Sequence, residues 1–227
     1  KTAEEALASL VTLAVLPSKQ ELIEAARAEA AKPPTVGSLF LSVSWNPDGR
    51  SSSDGTLHSN KASERERSIV QRAHQLAKEQ RSFFALCAIQ SCLAVISAEK
   101  GEPALLVAVE AIVANSNFVA AERKEFVRVG LAAALRGDMV QAMHYLIPQL
   151  EEAFRFQLVR QDVAAIAPGK KPGEVHVAMF EEVFSRLEKN TVFSEDVLFA
   201  LRGLLTEDQG GNLRNKHCHG LMERSDY

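Results

Sequence analysis

Aromatic residues are scarce in this chain: 6% of the sequence, with one Trp and two Tyr beside eleven Phe. Runs of β-branched residues are few, and Ala and Leu recur throughout. No segment alternates apolar and polar residues over a strand-like length. A sheet-based fold is therefore excluded and a helical one favoured. Positive charge is not in excess either: 26 Lys and Arg face 29 Asp and Glu, a formal net charge of −3. That excludes the global basic field of a nucleic-acid binder and confines any such partner to a local patch. Three cysteines, Cys87, Cys92 and Cys218, are too few for a disulfide framework and fit a reducing cytoplasm. No run approaches the roughly 20 apolar residues that span a bilayer, so no membrane partner is expected. The chain starts K-T-A-E-E-A-L, without an initiator Met or a signal-peptide pattern. It reads as a piece of a longer protein that carries further domains.

What is present is enough for a core. Of 227 residues, 46% are hydrophobic, which suits one large domain or two small ones. Residues 3–31 read as two helices broken at Pro17, with Ser18 as N-cap and Glu21 completing a capping box. Residues 42–62 are rich in Ser, Gly, Asp and Asn and read as a mobile loop. A long helix is predicted over 64–98, with Ile69, Ala73, Leu76, Phe83, Phe84, Cys87 and Leu93 at roughly helical spacing, stopped by Gly101. Helices follow at 103–115, 119–136 and 139–161, the last capped by Asp138. The stretch A-P-G-K-K-P-G (167–173) is a break. Further helices are predicted at 176–189, 195–205 and 208–224. The expected fold class is an all-α bundle. Residues 1–62 form an N-terminal helical pair plus loop, an appendage to a helical domain at 63–227.

Residues 211–220 read G-N-L-R-N-K-H-C-H-G. On a helix, Asn215 and His219 are four apart and share a face. Arg214 lies five before His219, about 140° around and about 7.5 Å along the axis. Its long side chain can swing toward the imidazole, so Arg214, Asn215 and His219 can converge on one polar pocket. A plainer reading stands beside this one. Basic residues near a helix C-terminus favour the macrodipole, and Gly220 suits the position just past its end. A zinc site needs four ligands at known spacings, and His217-Cys218-His219 supplies no such pattern. No metal and no cofactor are expected.

The stretch resembles a known signature. R-N-x-x-x-H is the motif of the HEPN superfamily (higher eukaryotes and prokaryotes nucleotide-binding domains), many of whose members are metal-independent ribonucleases. The resemblance extends over F-V-R-V-G-L-A-A-A-L-R-G-D-M-V-Q-A-M-H-Y-L-I-P-Q-L-E-E-A-F-R (126–155) and L-R-G-L-L-T-E-D-Q-G-G-N-L-R-N-K-H-C-H-G-L (201–221). Together these are similar to a domain-of-unknown-function family with a HEPN-like core. Its pattern pairs G-D-x-x-x-A-x-H-x-L-I-P-Q-x-E-x-x-x-R with a terminal G-x-N-L-R-N-x-x-x-H-G. The resemblance covers roughly residues 118–221. Cys218 stands where the family carries a smaller residue, and a thiol is expected to pack equally well there. The chain ends at Tyr227, where family members continue, so a final helix is expected beyond it.

The resemblance implies a HEPN-like bundle with extra N-terminal helices, and an endoribonuclease. Cleavage without metal uses the ribose 2′-OH as nucleophile on the adjacent phosphate. His219 suits the proton transfers near neutral pH. Arg214 offers a permanent planar charge for the phosphate oxygens. Asn215 is expected to orient the imidazole or hold a phosphate oxygen. On the 139–161 helix, Leu146, Ile147, Leu150, Phe154 and Leu158 make an apolar seam. Glu151 and Arg155 lie on its flank, as a surface ion pair or as supporting residues reaching the pocket. His144 reads as a satisfied interior or interface histidine, and Pro148 as a kink or restart. Lys216 and Arg202 are the RNA-binding candidates, with Lys170 and Lys171 as extensions of that track. The implied partners are RNA and a second copy of the chain, since HEPN-type ribonucleases generally meet motif to motif across a two-fold axis. A toxin or defence effector in the cytoplasm fits this picture. The alternatives are a non-catalytic helical module that binds RNA or nucleotide or only dimerises, and a structural domain whose polar stretch merely caps a helix.

Overall fold

The structure is a computed structural model, and it describes residues 1–13, 16–33, 43–45, 51–53, 61–168, 175–223 and 226. The fold is all-α. Ten α-helices carry the described chain: α1 (Ala3–Leu13), α2 (Lys19–Ala30), α3 (Ala62–Phe84), α4 (Gln90–Lys100), α5 (Glu102–Asn115), α6 (Lys124–Leu135), α7 (Met139–Arg160), α8 (Phe180–Lys189), α9 (Glu195–Leu205) and α10 (Leu213–His219). A π-helical turn, Ala85–Ile89, joins α3 to α4.

Two short hairpins depart from the strand-free expectation. β1 (Val43–Trp45) pairs with β2 (Ser51–Ser53), and β3 (Ile166–Pro168) pairs with β4 (Val175–Val177), both antiparallel. Three residues per strand are too few for an alternating pattern to register in a sequence. The first hairpin falls in the predicted loop and the second flanks the predicted break. Most of that loop, and Lys170 and Lys171, lie outside the described residues.

Contacts divide the chain into two compact units. One comprises Lys1–Val15 and Ala85–Leu198; the other comprises Leu16–Phe84 and Phe199–Asp226. The division at residue 62 read from the sequence keeps α1 and α2 together. In the structure α1 packs on α4 and α5, while α2 packs on α3.

The first unit is organised by α7. Asp138 caps it as expected, its Oδ1 accepting from Gln141 N at 3.0 Å. Gly137, at φ 77°, ends α6 just before. The helix runs through Pro148 without a restart. Ile147, Phe154 and Leu158 of the expected seam are buried, and Leu146 and Leu150 half-buried. Phe154 is the hub of an aromatic cluster. Phe118, Phe180, Phe184 and Phe193 each bring a ring centroid to about 5.8–6.1 Å from it, in edge-on and tilted arrangements that ring quadrupoles favour.

The second unit is built on alanine. Leu22, Ala26 and Ala30 of α2 meet Ile69, Ala73 and Ala77 of α3, and Phe199 of α9 joins the same core. Small side chains let the two helices approach closely. Arg72 of α3 clamps Glu29 of α2 with two hydrogen bonds, of 2.7 and 3.2 Å. Ser18 takes the N-cap position of α2, but its hydroxyl makes no capping bond. A capping box forms at α1, where Thr2 and Glu5 exchange bonds of 2.9 and 3.1 Å.

The predicted 64–98 helix is real only in part as a core element. In its first half one face is buried, carrying Ser68, Ile69, Ala73, His74 and Ala77; beyond Arg81 the described apolar residues are not. Phe83 is exposed, as is Cys87. From Ser82 to Ala98 no residue is charged. The helical run Ala62–Lys100 is long and apolar enough to cross a membrane by length and composition, and none of its most apolar window is buried. This corrects the reading that no run approaches that length. The helical continuity across Phe84 and Gln90 is what brings the segment up to it.

Candidate functional site

The motif helix α10 is shorter than predicted. It spans Leu213–His219 rather than 208–224. The reason lies in the segment before it. Residues 206–212 do not continue as helix but fold back on the end of α9. The last carbonyls of any helix lack intrahelical donors. Here they are taken in turn. Arg202 O accepts from Thr206 N at 2.9 Å, and Gly203 O accepts from Gly211 N at 2.7 Å. The approach is so close that a Cβ on Gly210 would lie 1.7 Å from Gly203 O, and one on Gly211 would lie 2.6 Å from Leu204 O. The glycine pair in Q-G-G-N is thus a steric requirement. Asn212 then turns the chain in the left-handed region, at φ 51°, into α10.

Asn215 fixes α10 to this loop. Its Nδ2 donates to Asn212 Oδ1 at 2.8 Å and to Thr206 O at 3.4 Å, while its Oδ1 accepts from Arg214 Nη1 at 3.3 Å. Arg214 and Asn215 are half-buried; His219 is exposed. The three residues do share one helix, and the imidazole does open to solvent. Asn215, however, is not bonded to that imidazole among the described residues. Its amide is committed to the loop and to Arg214, so it positions the guanidinium instead. His217 is half-buried. Cys218 is exposed and does not pack as the sequence reading expects.

The helix closes as the plainer reading requires. Gly220, at φ 67°, donates to His217 O at 3.3 Å, and Leu221 donates to Lys216 O at 2.8 Å. This pair of bonds is a Schellman closure. Lys216 is drawn into it as well, with Nζ 2.6 Å from Asp226 Oδ1. As an RNA-binding candidate it therefore starts from an ion pair.

Glu151 and Arg155 sit on α7, in the other compact unit. They pair with each other, and both side chains are largely buried, at 14% and 16% exposure. Arg155 also reaches Glu152 Oε2 and Ala178 O, each at 3.4 Å. This is an interior tie between α7 and the lead into α8 rather than the surface pair of the sequence reading. His144 is exposed, not interior, and its Nδ1 is satisfied by Val140 O of its own helix at 2.8 Å.

A second polar group was not singled out from the sequence. His74 of α3 is 1% exposed and stacks on Phe199 with ring centroids 4.0 Å apart. Gly203 makes room for it, since a Cβ there would come within 2.6 Å of His74 Nδ1. Burial first, and the positive charges of Arg81 and Arg202 second, push the imidazole down from 6.5 to about 4. Burial likewise lowers Arg81. The available signal was a polar interruption: His74 and Arg81 stand on the face that carries Ile69, Ala73 and Ala77. Arg202 therefore belongs beside His74.

Among the described residues no group of three or more His, Cys, Asp and Glu converges as metal ligands do. In the first unit a groove of about 490 Å³ is lined by Leu10, Cys92, Val95 and Ile96, with Lys1 and Lys100 among its further lining residues. No family model, no curated protein and no solved structure matches this chain.

Proposed function

We propose that the chain is a metal-independent endoribonuclease of HEPN type. The observation that supports this most is the order of α10. Arg214 and Asn215 are held together on one short helix, docked by backbone bonds, and His219 on that helix is exposed. In this reaction the ribose 2′-oxygen attacks the adjacent phosphorus and gives up its proton. The bond from phosphorus to the 5′-oxygen breaks, and that oxygen gains a proton. The products are a 2′,3′-cyclic phosphate and a 5′-OH end. His219 transfers protons, and Arg214 offsets the charge of the pentavalent phosphorane. Asn215 acts by positioning Arg214. A second copy of the chain brings a second Arg214 and His219 to the same groove, which concentrates positive potential despite the net charge of −3. This activity suits a toxin or a defence effector.

A specific observation favours a second reading, a non-catalytic helical module that binds RNA or dimerises. The Schellman closure and the Lys216–Asp226 pair give several motif residues a structural occupation. The deciding experiment is cleavage of single-stranded RNA in excess EDTA, with DNA of the same sequence as control. The ribonuclease reading expects cyclic phosphate ends from RNA, intact DNA, loss of cutting in His219→Ala, and little change in His217→Ala. Binding without cutting by the wild-type chain leaves the module reading standing.

A further inference from the structure

Two arginines on α3 are treated differently by the fold. Arg72 is given a carboxylate, Glu29, with two hydrogen bonds. Arg81, nine residues on, is given none. Both of its Nη atoms are buried without a hydrogen-bond partner among the described residues, and so is Nδ1 of His74. A guanidinium cannot shed its charge, and its five N–H donors seek acceptors. Leaving it buried and uncompensated costs stability, and an apolar residue of similar volume serves a core better. Such a group makes sense when an anion arrives from outside.

The geometry gathers more charge at this place. His74 and Arg81 are seven residues apart, two helical turns, and so share one face of α3 about 10.5 Å apart along the axis. Helical side chains lean toward the N-terminus, which carries the Arg81 guanidinium back toward His74. Arg202 precedes Gly203, whose Cα abuts the same imidazole. Its charge, like that of Arg81, is felt by the ring. A planar fork whose two Nη atoms lack acceptors suits an oxyanion with several acceptor oxygens.

We propose that Arg81 anchors a phosphate-binding site. Its occupant is a phosphate group, carried by an RNA backbone if the ribonuclease reading holds, or by a free phosphate. The source rests on that reading; the chemistry of the site does not.

The test is thermal unfolding of the chain in inorganic phosphate, in a 2′-O-methyl RNA oligomer that cannot be cleaved, and in chloride at matched ionic strength. Wild-type Tm is expected to rise with phosphate and not with chloride. A larger rise with the oligomer identifies the RNA backbone as the source; a rise with phosphate alone identifies a free ion. Arg81→Met is expected to be at least as stable as wild type in chloride and to lose the phosphate response. A wild-type Tm that follows ionic strength alone overturns the proposal, and so does a phosphate response that survives in Arg81→Met. The wild-type arm stands even if the variant fails to fold. RNA cutting without a phosphate response sinks this site and spares the ribonuclease reading; a phosphate response without cutting does the reverse.

Discussion

The buried imidazole of His74 makes the stability of the second unit depend on mild acid. Its folded value is about 4, against about 6.5 in an unfolded chain. The folded state holds the ring neutral where the unfolded state takes up a proton. The His74 contribution is therefore fully present above pH 6.5 and drains away as pH falls toward 4. At pH 5 the unfolded chain has gained about 2 kcal/mol from this one proton, and well below pH 4 the loss approaches about 3 kcal/mol. His74→Gln removes the titration. Urea unfolding at pH 7 and at pH 5, in buffers free of phosphate, measures both proteins. Wild type should lose about 2 kcal/mol more than the variant between the two conditions, whatever the absolute cost of the substitution. Glu29, lowered mainly by its hydrogen bond to Arg72, loses its contribution at lower pH and in both proteins alike, so it cancels from the difference. Equal losses in the two proteins would refute the account of His74 as a neutral buried ring.

Gly210→Ala should unfold the motif loop, because its Cβ would lie 1.7 Å from a backbone oxygen that cannot swing aside; a cost of about 2 kcal/mol or more is expected in urea unfolding. Asn215→Ala should lower cutting through Arg214 rather than through proton transfer, so the pH profile of the residual rate should keep the wild-type shape. Arg214→Lys keeps the charge and loses the planar fork, and should cut at least about tenfold more slowly.

The sequence carried the helical class and several helix limits. α9 matches its expected bounds, and Asp138 and Gly101 mark the ends they promise. These signals are local, set by spacing and by capping chemistry. What stayed hidden was non-local. The pattern at 208–212 looks helical until one knows that Gly210 and Gly211 lie on the backbone of α9. Glu151 and Arg155 look like a surface pair until Ala178 O is seen beside them. His74 looked like an ordinary member of α3, since nothing in its neighbours shows that Phe199 and Gly203 enclose it. The candidate site was legible to the extent that it lies on one helix. Asn215's partners, two of them outside that helix, were not.

The bond from Gly211 N to Gly203 O, at 2.7 Å, gives the motif an observable of its own. It joins residues eight apart across the fold-back, so it forms only when the loop lies on α9 and α10 is seated. Its amide hydrogen should exchange with solvent at the rate at which this seat opens. A single nuclear magnetic resonance peak then reports whether the Arg214–Asn215 pair is in place, without substrate, turnover or a partner. Variants that are silent in an activity assay can be sorted by it: those that unseat the helix speed the exchange, and those that remove only chemistry leave it slow.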